Sequence, residues 1–180
     1  MTTFRPTSPA EDIAAWANAR HTGVPGLLTP DLVAFVQSGV SIFLGSTNQR
    51  GWPIVGSGIG CRVLKGNRLR LLCRRTGNRA LLDRLAEGGP LAATFSAARD
   101  HRSVQVKTRS AKILPAHSDD MPEMDRQTSV LRAELIELGL PQGVANDFVA
   151  FDPDDLMAVE FLAEHLFSQT PGPGAGAELT

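Results

Sequence analysis

The pattern of apolar and polar positions divides the chain into short helical and extended runs. Thr29-Pro30-Asp31 opens a helix, because Thr29 suits a cap and Pro30 the first helical position. Leu32, Val33, Phe35 and Val36 then form an apolar stripe that ends at Gly39. From Ser41 the period changes. Ser41-Ile42-Phe43-Leu44-Gly45-Ser46-Thr47 reads as a strand, Asn48-Gln49-Arg50-Gly51 as a turn, and Trp52 to Leu64 as the return strand. A second turn at Lys65-Gly66-Asn67 leads to a strand from Arg68 to Cys73, which completes a three-stranded meander. A helix from about Asn78 to Glu87 gathers Leu81, Leu82 and Leu85 on one face and stops at Gly88-Gly89-Pro90.

Leu91 to Ser96 and Ser103 to Leu114 are two further strands. In the second, Val104 and Val106 alternate with Gln105 and Lys107, so one face is buried and the other polar. Ser118 opens a long amphipathic helix with Val130, Leu131, Leu135 and Leu138 at helical spacing, ended by Gly139-Leu140-Pro141. A last strand covers about Leu156 to Leu162. Six strands joined mainly by hairpins predict a mainly β (α+β) fold, an antiparallel barrel with helices at its ends, since closure removes exposed edges. Residues 1–26, rich in Pro, Ala and Thr, read as an N-terminal arm with a short helix over Asp12 to Ala19 that would bury Ile13 and Trp16. Residues 27–170 then form the domain and 171–180 a tail.

Composition narrows the partners. The 180 residues suit one domain with a real core. The 18 Lys and Arg against 19 Asp and Glu leave a formal charge of -1, so no whole-molecule field draws the chain to nucleic acid or to an anionic membrane. Any anion site is therefore local. Cys61 and Cys73 make no disulfide framework, and His21, His101, His117 and His165 show no zinc-ligand spacing with them. A reduced cytoplasmic setting is expected. No secretory signal and no apolar run long enough to cross a bilayer is evident. The absence of tyrosine removes one common ring-stacking and proton-donating side chain.

The densest chemistry lies in Arg74-Arg75-Thr76-Gly77-Asn78-Arg79, a turn between a strand and a helix. Free N–H groups and the positive end of the helix dipole favour an anion there, and the arginines add forked donors matched to phosphate oxygens. The competing reading is that exposed arginines merely solvate a turn. Gly56-Ser57-Gly58-Ile59-Gly60 is not a dinucleotide loop, because strand and turn follow it rather than a helix. Its glycines mark either a crowded barrel corner or the close approach of a flat ligand to backbone. Gln105 and Lys107 either line a site or face water. The cysteines read as packing residues. No nucleophile-histidine-carboxylate set and no carboxylate pair emerges.

Taken in order, these runs resemble a known family. Val40 to Thr47, Gly51-Trp52-Pro53, the strand and helix through Leu85, Leu91 to Ser96, and Arg102-Ser103-Val104-Gln105-Val106-Lys107 are similar to the pyridoxamine 5'-phosphate oxidase-related FMN-binding split-barrel family. Gln169-Thr170-Pro171-Gly172-Pro173-Gly174-Ala175-Gly176 resembles a C-terminal motif of one branch. The resemblance covers roughly Leu27 to Gly176. It implies a six-stranded antiparallel split β-barrel with flanking helices, paired as a homodimer with FMN at the interface.

By the same resemblance, Arg74, Arg75, Thr76 and Arg79 match the family's grip on the cofactor phosphate. Ser57 and Gly58 match the strand along the flavin ring, and Gln105 a polar residue on the later strand, with Lys107 beside it. The strand Gly58 to Lys65 lacks the family's Arg-Lys pair, and the terminal segment lacks its arginine, which argues against pyridoxamine phosphate as substrate. An FMN-dependent oxidoreductase with a small-molecule electron donor or acceptor is the leading expectation. A flavin-binding carrier or sensor that is not turned over is the second. A haem-binding split barrel, with His21, His101, His117 or His165 as axial ligand, is the third.

Overall fold

The computed structural model describes residues 27–179, so the expected arm and its helix lie outside the described residues. Helix α1 (Pro30–Val36) begins as its sequence dictates: the Thr29 hydroxyl accepts the Leu32 N–H at 3.3 Å. Strands β1 (Ser41–Thr47), β2 (Pro53–Gly58), β3 (Gly60–Leu64) and β4 (Arg68–Arg74) follow. A single 3-10 turn, Thr76–Asn78, leads into α2 (Arg79–Ala86). The remainder comprises β5 (Leu91–Ser96), β6 (Ser103–Thr108), β7 (Lys112–Pro115), α3 (Met121–Glu137), α4 (Gln142–Val149), β8 (Leu156–Leu162) and β9 (His165–Ser168). The fold is thus α+β and mainly antiparallel, with four helices among the described residues.

The strands form two sheets, one of five in the order β2-β1-β5-β6-β9 and one of four in the order β3-β4-β8-β7. No hydrogen-bonded ladder closes them into one barrel. The six strands expected from the sequence become nine among the described residues, because two break and one is added. Trp52 to Leu64 changes sheet at Ile59, whose N–H turns away to the Leu72 carbonyl at 2.7 Å. β2 therefore pairs with β1, and β3 with β4. Ser103 to Leu114 breaks in the same way between β6 and β7. The added strand, β9, pairs with β6, and the tail folds back on it through the Leu179 N–H to the Leu166 carbonyl and the Gly176 N–H to the Ser168 carbonyl.

The main core lies between the sheets, with Ile42, Leu44, Leu69, Leu71, Phe95, Val106, Val159 and Phe161 facing inward and α1 and α2 closing its ends. The four-stranded sheet is covered on both faces, since Leu72 and Ala158 meet Met124 of α3 on its far side. This is why β4 is buried from Leu69 to Cys73, with Leu71-Leu72-Cys73 apolar on both faces and Arg70 buried against Asp120. Burial of its apolar residues at about 25 cal/mol per Å² is the main favourable contribution. Cys61 and Cys73 both face the main core as packing residues; burial pushes both thiols up, Cys73 to about 12 with the Asp155 charge adding to it.

Helix α3 is set by more than its apolar stripe. Leu138, expected in that stripe, is 45% exposed, whereas Gln127, Thr128 and Glu134 are buried. The start of α3 is fixed to the four-stranded sheet by Asp120, which accepts bonds from Arg70 at 2.7 Å and from Arg62 at 2.7 Å. Helix α4 packs on α3 through Ala145 and Val149 against Leu131 and Leu135. With only these two residues buried in Gln142–Val149, α4 has no periodic stripe to announce it.

Candidate functional site

β4 ends at Arg74 and the chain turns through Arg75 into Thr76–Asn78 and α2. Asn78, 3% exposed, anchors this turn to β2. Its Oδ1 accepts the Ser57 N–H at 2.9 Å, and its Nδ2 donates to the Ser57 carbonyl at 3.1 Å and to the Arg74 carbonyl at 2.7 Å. Arg74, Arg75, Thr76 and Ser57 are thereby brought to one place.

Beside the turn is a cleft of about 180 Å³ lined by Phe43, Ser57, Gly58 and Arg74 on one side and by Asp147 and Phe148 of α4 on the other. That volume is below the roughly 300–1,000 Å³ usual for a bound small molecule. As it stands, the cleft is too small to enclose a nucleotide-sized molecule.

The turn's donors already have internal partners. Arg74 donates Nε to the Ala150 carbonyl at 2.8 Å and a terminal nitrogen to the Phe148 carbonyl at 3.0 Å, a cation at the C-terminal end of α4 where the helix dipole favours it. The Arg75 N–H donates to the Asp155 carbonyl at 2.7 Å. The Asp155 carboxylate accepts the Thr76 hydroxyl at 2.6 Å and the Thr76 N–H at 3.2 Å, and lies 3.7 Å from Arg75 Nε. An internal carboxylate thus sits where the sequence predicts an anion. The Arg75 side chain is still 59% exposed, and Arg79 is exposed with no polar partner among the described residues.

The glycines of the return strand are accounted for by packing within the chain. A Cβ on Gly56 would lie 2.1 Å from Asn78 Oδ1, one on Gly58 2.9 Å from Ile42 Cγ2, and one on Gly60 2.7 Å from Met124 Cε. Each makes room for a neighbouring side chain, which removes the need for a ligand to explain them.

Gln105 and Lys107 lie elsewhere on the same molecular face. The pairings Ser57 to Phe43, Phe43 to Thr94, Thr94 to Gln105 and Gln105 to Phe167 form one row across the outer face of the five-stranded sheet. Ser57 and Gln105 are three strands apart, about 14 Å. Gln105 donates to the Thr94 hydroxyl at 2.9 Å, and the Lys107 ammonium stands 4.4 Å from the Phe167 ring centre. One chain therefore gathers Ser57, Gly58 and Arg74 around the cleft with Arg75, Thr76 and Arg79 alongside, and holds Gln105 and Lys107 apart.

The sequence reading passed over Asn78, Asp155, Asp147 and Phe148. Asn78 could be suspected as a polar residue at a helix start. Nothing local points to Asp155, which is 79 residues from Thr76. Among the described residues, no group of three or more His, Cys, Asp and Glu is arranged to hold a metal ion. No helix there is long and apolar enough to cross a membrane.

No protein-family profile matches the chain, and no curated protein does. Among solved structures it is similar to a putative pyridoxamine 5'-phosphate oxidase from Lactobacillus delbrueckii, at 14% identity over 80% of this chain and 97% of that one, with a TM-score of 0.49. It is similar to HupZ of Group A Streptococcus at 11% identity, over 82% of this chain and 98% of that one, with a TM-score of 0.49. A pyridoxamine 5'-phosphate oxidase-related, FMN-binding protein from Nostoc punctiforme matches at 11% identity, over 93% of this chain and 87% of that one, with a TM-score of 0.43.

Proposed function

We propose that the chain is an FMN-binding flavoprotein of the pyridoxamine 5'-phosphate oxidase-like kind, acting as an oxidoreductase on a small-molecule electron donor or acceptor. The observation that carries this reading is the union of the arginine turn with Ser57 and a cleft, made by the three bonds of Asn78. The donor set fits a phosphate: two exposed guanidiniums, Arg75 and Arg79, and the Thr76 hydroxyl and N–H stand at the start of a helix. Ser57 and Gly58 would lie along the ring, at the cleft wall.

The finer fold reading follows the same line. If β2–β3 and β6–β7 are each taken as one bent strand, the order β2/β3, β1, β5, β6/β7, β8, β4 returns to β3, which supports a six-stranded split barrel. The outer face of the five-stranded sheet carries Phe43, 51% exposed, and Val55, 80% exposed, beside Gln105 and Lys107. Uncovered apolar surface of this kind supports pairing of two copies on that face, with the cofactor held between them. The small volume of the cleft in one chain agrees with a site completed by a second.

FMN supplies hydride acceptance and electron transfer, so the protein's task is binding and electrostatic tuning. Gln105 as a donor or Lys107 as a cation would favour negative charge on the reduced cofactor. A cytoplasmic location remains part of this proposal. None of His101, His117 and His165 lines the cleft, which favours flavin over haem.

The absorption spectrum of the purified protein tests the proposal. Flavin bands are expected; a Soret band, or a colourless protein that takes up no added FMN, overturns it. Reduction of the bound flavin by NADPH or NADH, followed by stopped flow, separates an oxidoreductase from a carrier or sensor module.

A further inference from the structure

One segment occupies three residues of the arginine turn, Arg74, Arg75 and Thr76. Arg74 holds the carbonyls of Phe148 and Ala150, Arg75 holds the carbonyls of Asp154 and Asp155, and Thr76 holds the Asp155 carboxylate. The same segment supplies the α4 wall of the cleft through Phe148. Its other anchors are few: Val149 packs on α3 and Phe151 on the cluster beneath the four-stranded sheet, whereas Phe148 is 48% exposed and Asp152, Pro153 and Asp154 are exposed.

We infer that residues 148–155 are a built-in occupant of the phosphate site, and that a phosphate-bearing flavin binds by displacing the Asp155 carboxylate from Thr76 and Arg75. This rests on the flavin reading above. A carboxylate offers two oxygens and one negative charge, whereas a phosphate monoester offers three oxygens and close to two charges. The donors that Asp155 now satisfies are those a phosphate satisfies better. Release of the segment from the turn also withdraws the Phe148 wall, which enlarges a cleft too small for a nucleotide. Binding and movement of this segment are thus one event, and affinity is reduced by the stability of the closed form.

The test compares FMN binding to the full chain and to Asp155→Asn, together with hydrogen exchange of residues 148–155 in the unmodified protein. Loss of the competing charge should tighten FMN by about tenfold. FMN should also raise exchange in 148–155 while protecting the Arg74 to Arg79 turn. Equal or weaker affinity in Asp155→Asn, or protection of 148–155 by FMN, overturns this inference and leaves the flavin reading standing. Failure of both proteins to bind FMN overturns the flavin reading and this inference with it. The exchange measurement uses the unmodified chain, so it decides the matter even where the variant folds poorly.

Discussion

Asn78 and Ser57 are joined by a reciprocal pair of hydrogen bonds, the side-chain amide of one closing on both backbone groups of the other. Gln127 does the same for Cys61, accepting its N–H at 3.0 Å and donating to its carbonyl at 2.7 Å, and Gln37 accepts the Val63 N–H at 2.8 Å. Three amide side chains therefore pair the outer edge of β2 and β3 on either side of the change of sheet. An edge strand otherwise presents unpaired backbone groups, and these amides cover it without a further strand.

Replacing Asn78 by Ala removes three bonds at a buried position and leaves the Ser57 and Arg74 backbone groups unpaired. A loss of about 2–4 kcal/mol is expected. Urea unfolding measures it, and a loss under 1 kcal/mol, in order of magnitude, speaks against this anchoring role.

Asp120 makes stability depend on acid. Burial pushes its carboxyl up, but bonds from Arg70, the His117 N–H and Arg62, with the Arg70 charge, outweigh this and hold it at about 2 against an ordinary 3.8. Its folded value is depressed, so its contribution is present above the unfolded value and is lost as pH falls from about 5 toward 2. The loss amounts to about 2 kcal/mol. Asp120→Asn should flatten the stability profile in that window and cost about 3 kcal/mol near neutrality, because Arg70 loses its main partner. Denaturation curves recorded across pH would contradict this if the two proteins kept the same slope.

Arg75→Ala and Arg79→Ala should each weaken FMN by roughly 1.5–3 kcal/mol, the worth of a charge-assisted hydrogen bond. Fluorescence titration provides the measurement. Unchanged affinity in both variants would move the phosphate away from the turn.

Val55→Asp places a charge on the open face of the five-stranded sheet without touching the core. The proposed homodimer should become monomeric in analytical ultracentrifugation and release its flavin on dilution. A monomeric unmodified protein that retains FMN would contradict the interfacial site.

Much of the fold was legible because its signals are local. Thr29 and Pro30 start α1 where their backbone preferences require, and the apolar runs of β1, β4, β5, β6 and β8 fall where the periodicity predicts. The strand, turn and helix around Arg74 to Arg79 were legible for the same reason, as was their basic character. Tertiary structure alone decided what those residues touch. The sheet change at Ile59, helix α4 and strand β9 depend on partners distant in sequence, and none leaves a period in its own few residues. The glycines show the difference: their spacing left crowding and the approach of a flat ligand both open, and only the packed chain identifies crowding groups, Asn78, Ile42 and Met124. Likewise, the sequence by itself determined that the turn is basic and precedes a helix. That a carboxylate, Asp155, meets it within the chain follows from β8 pairing beside β4, which brings a residue 79 positions away to the donors of Thr76.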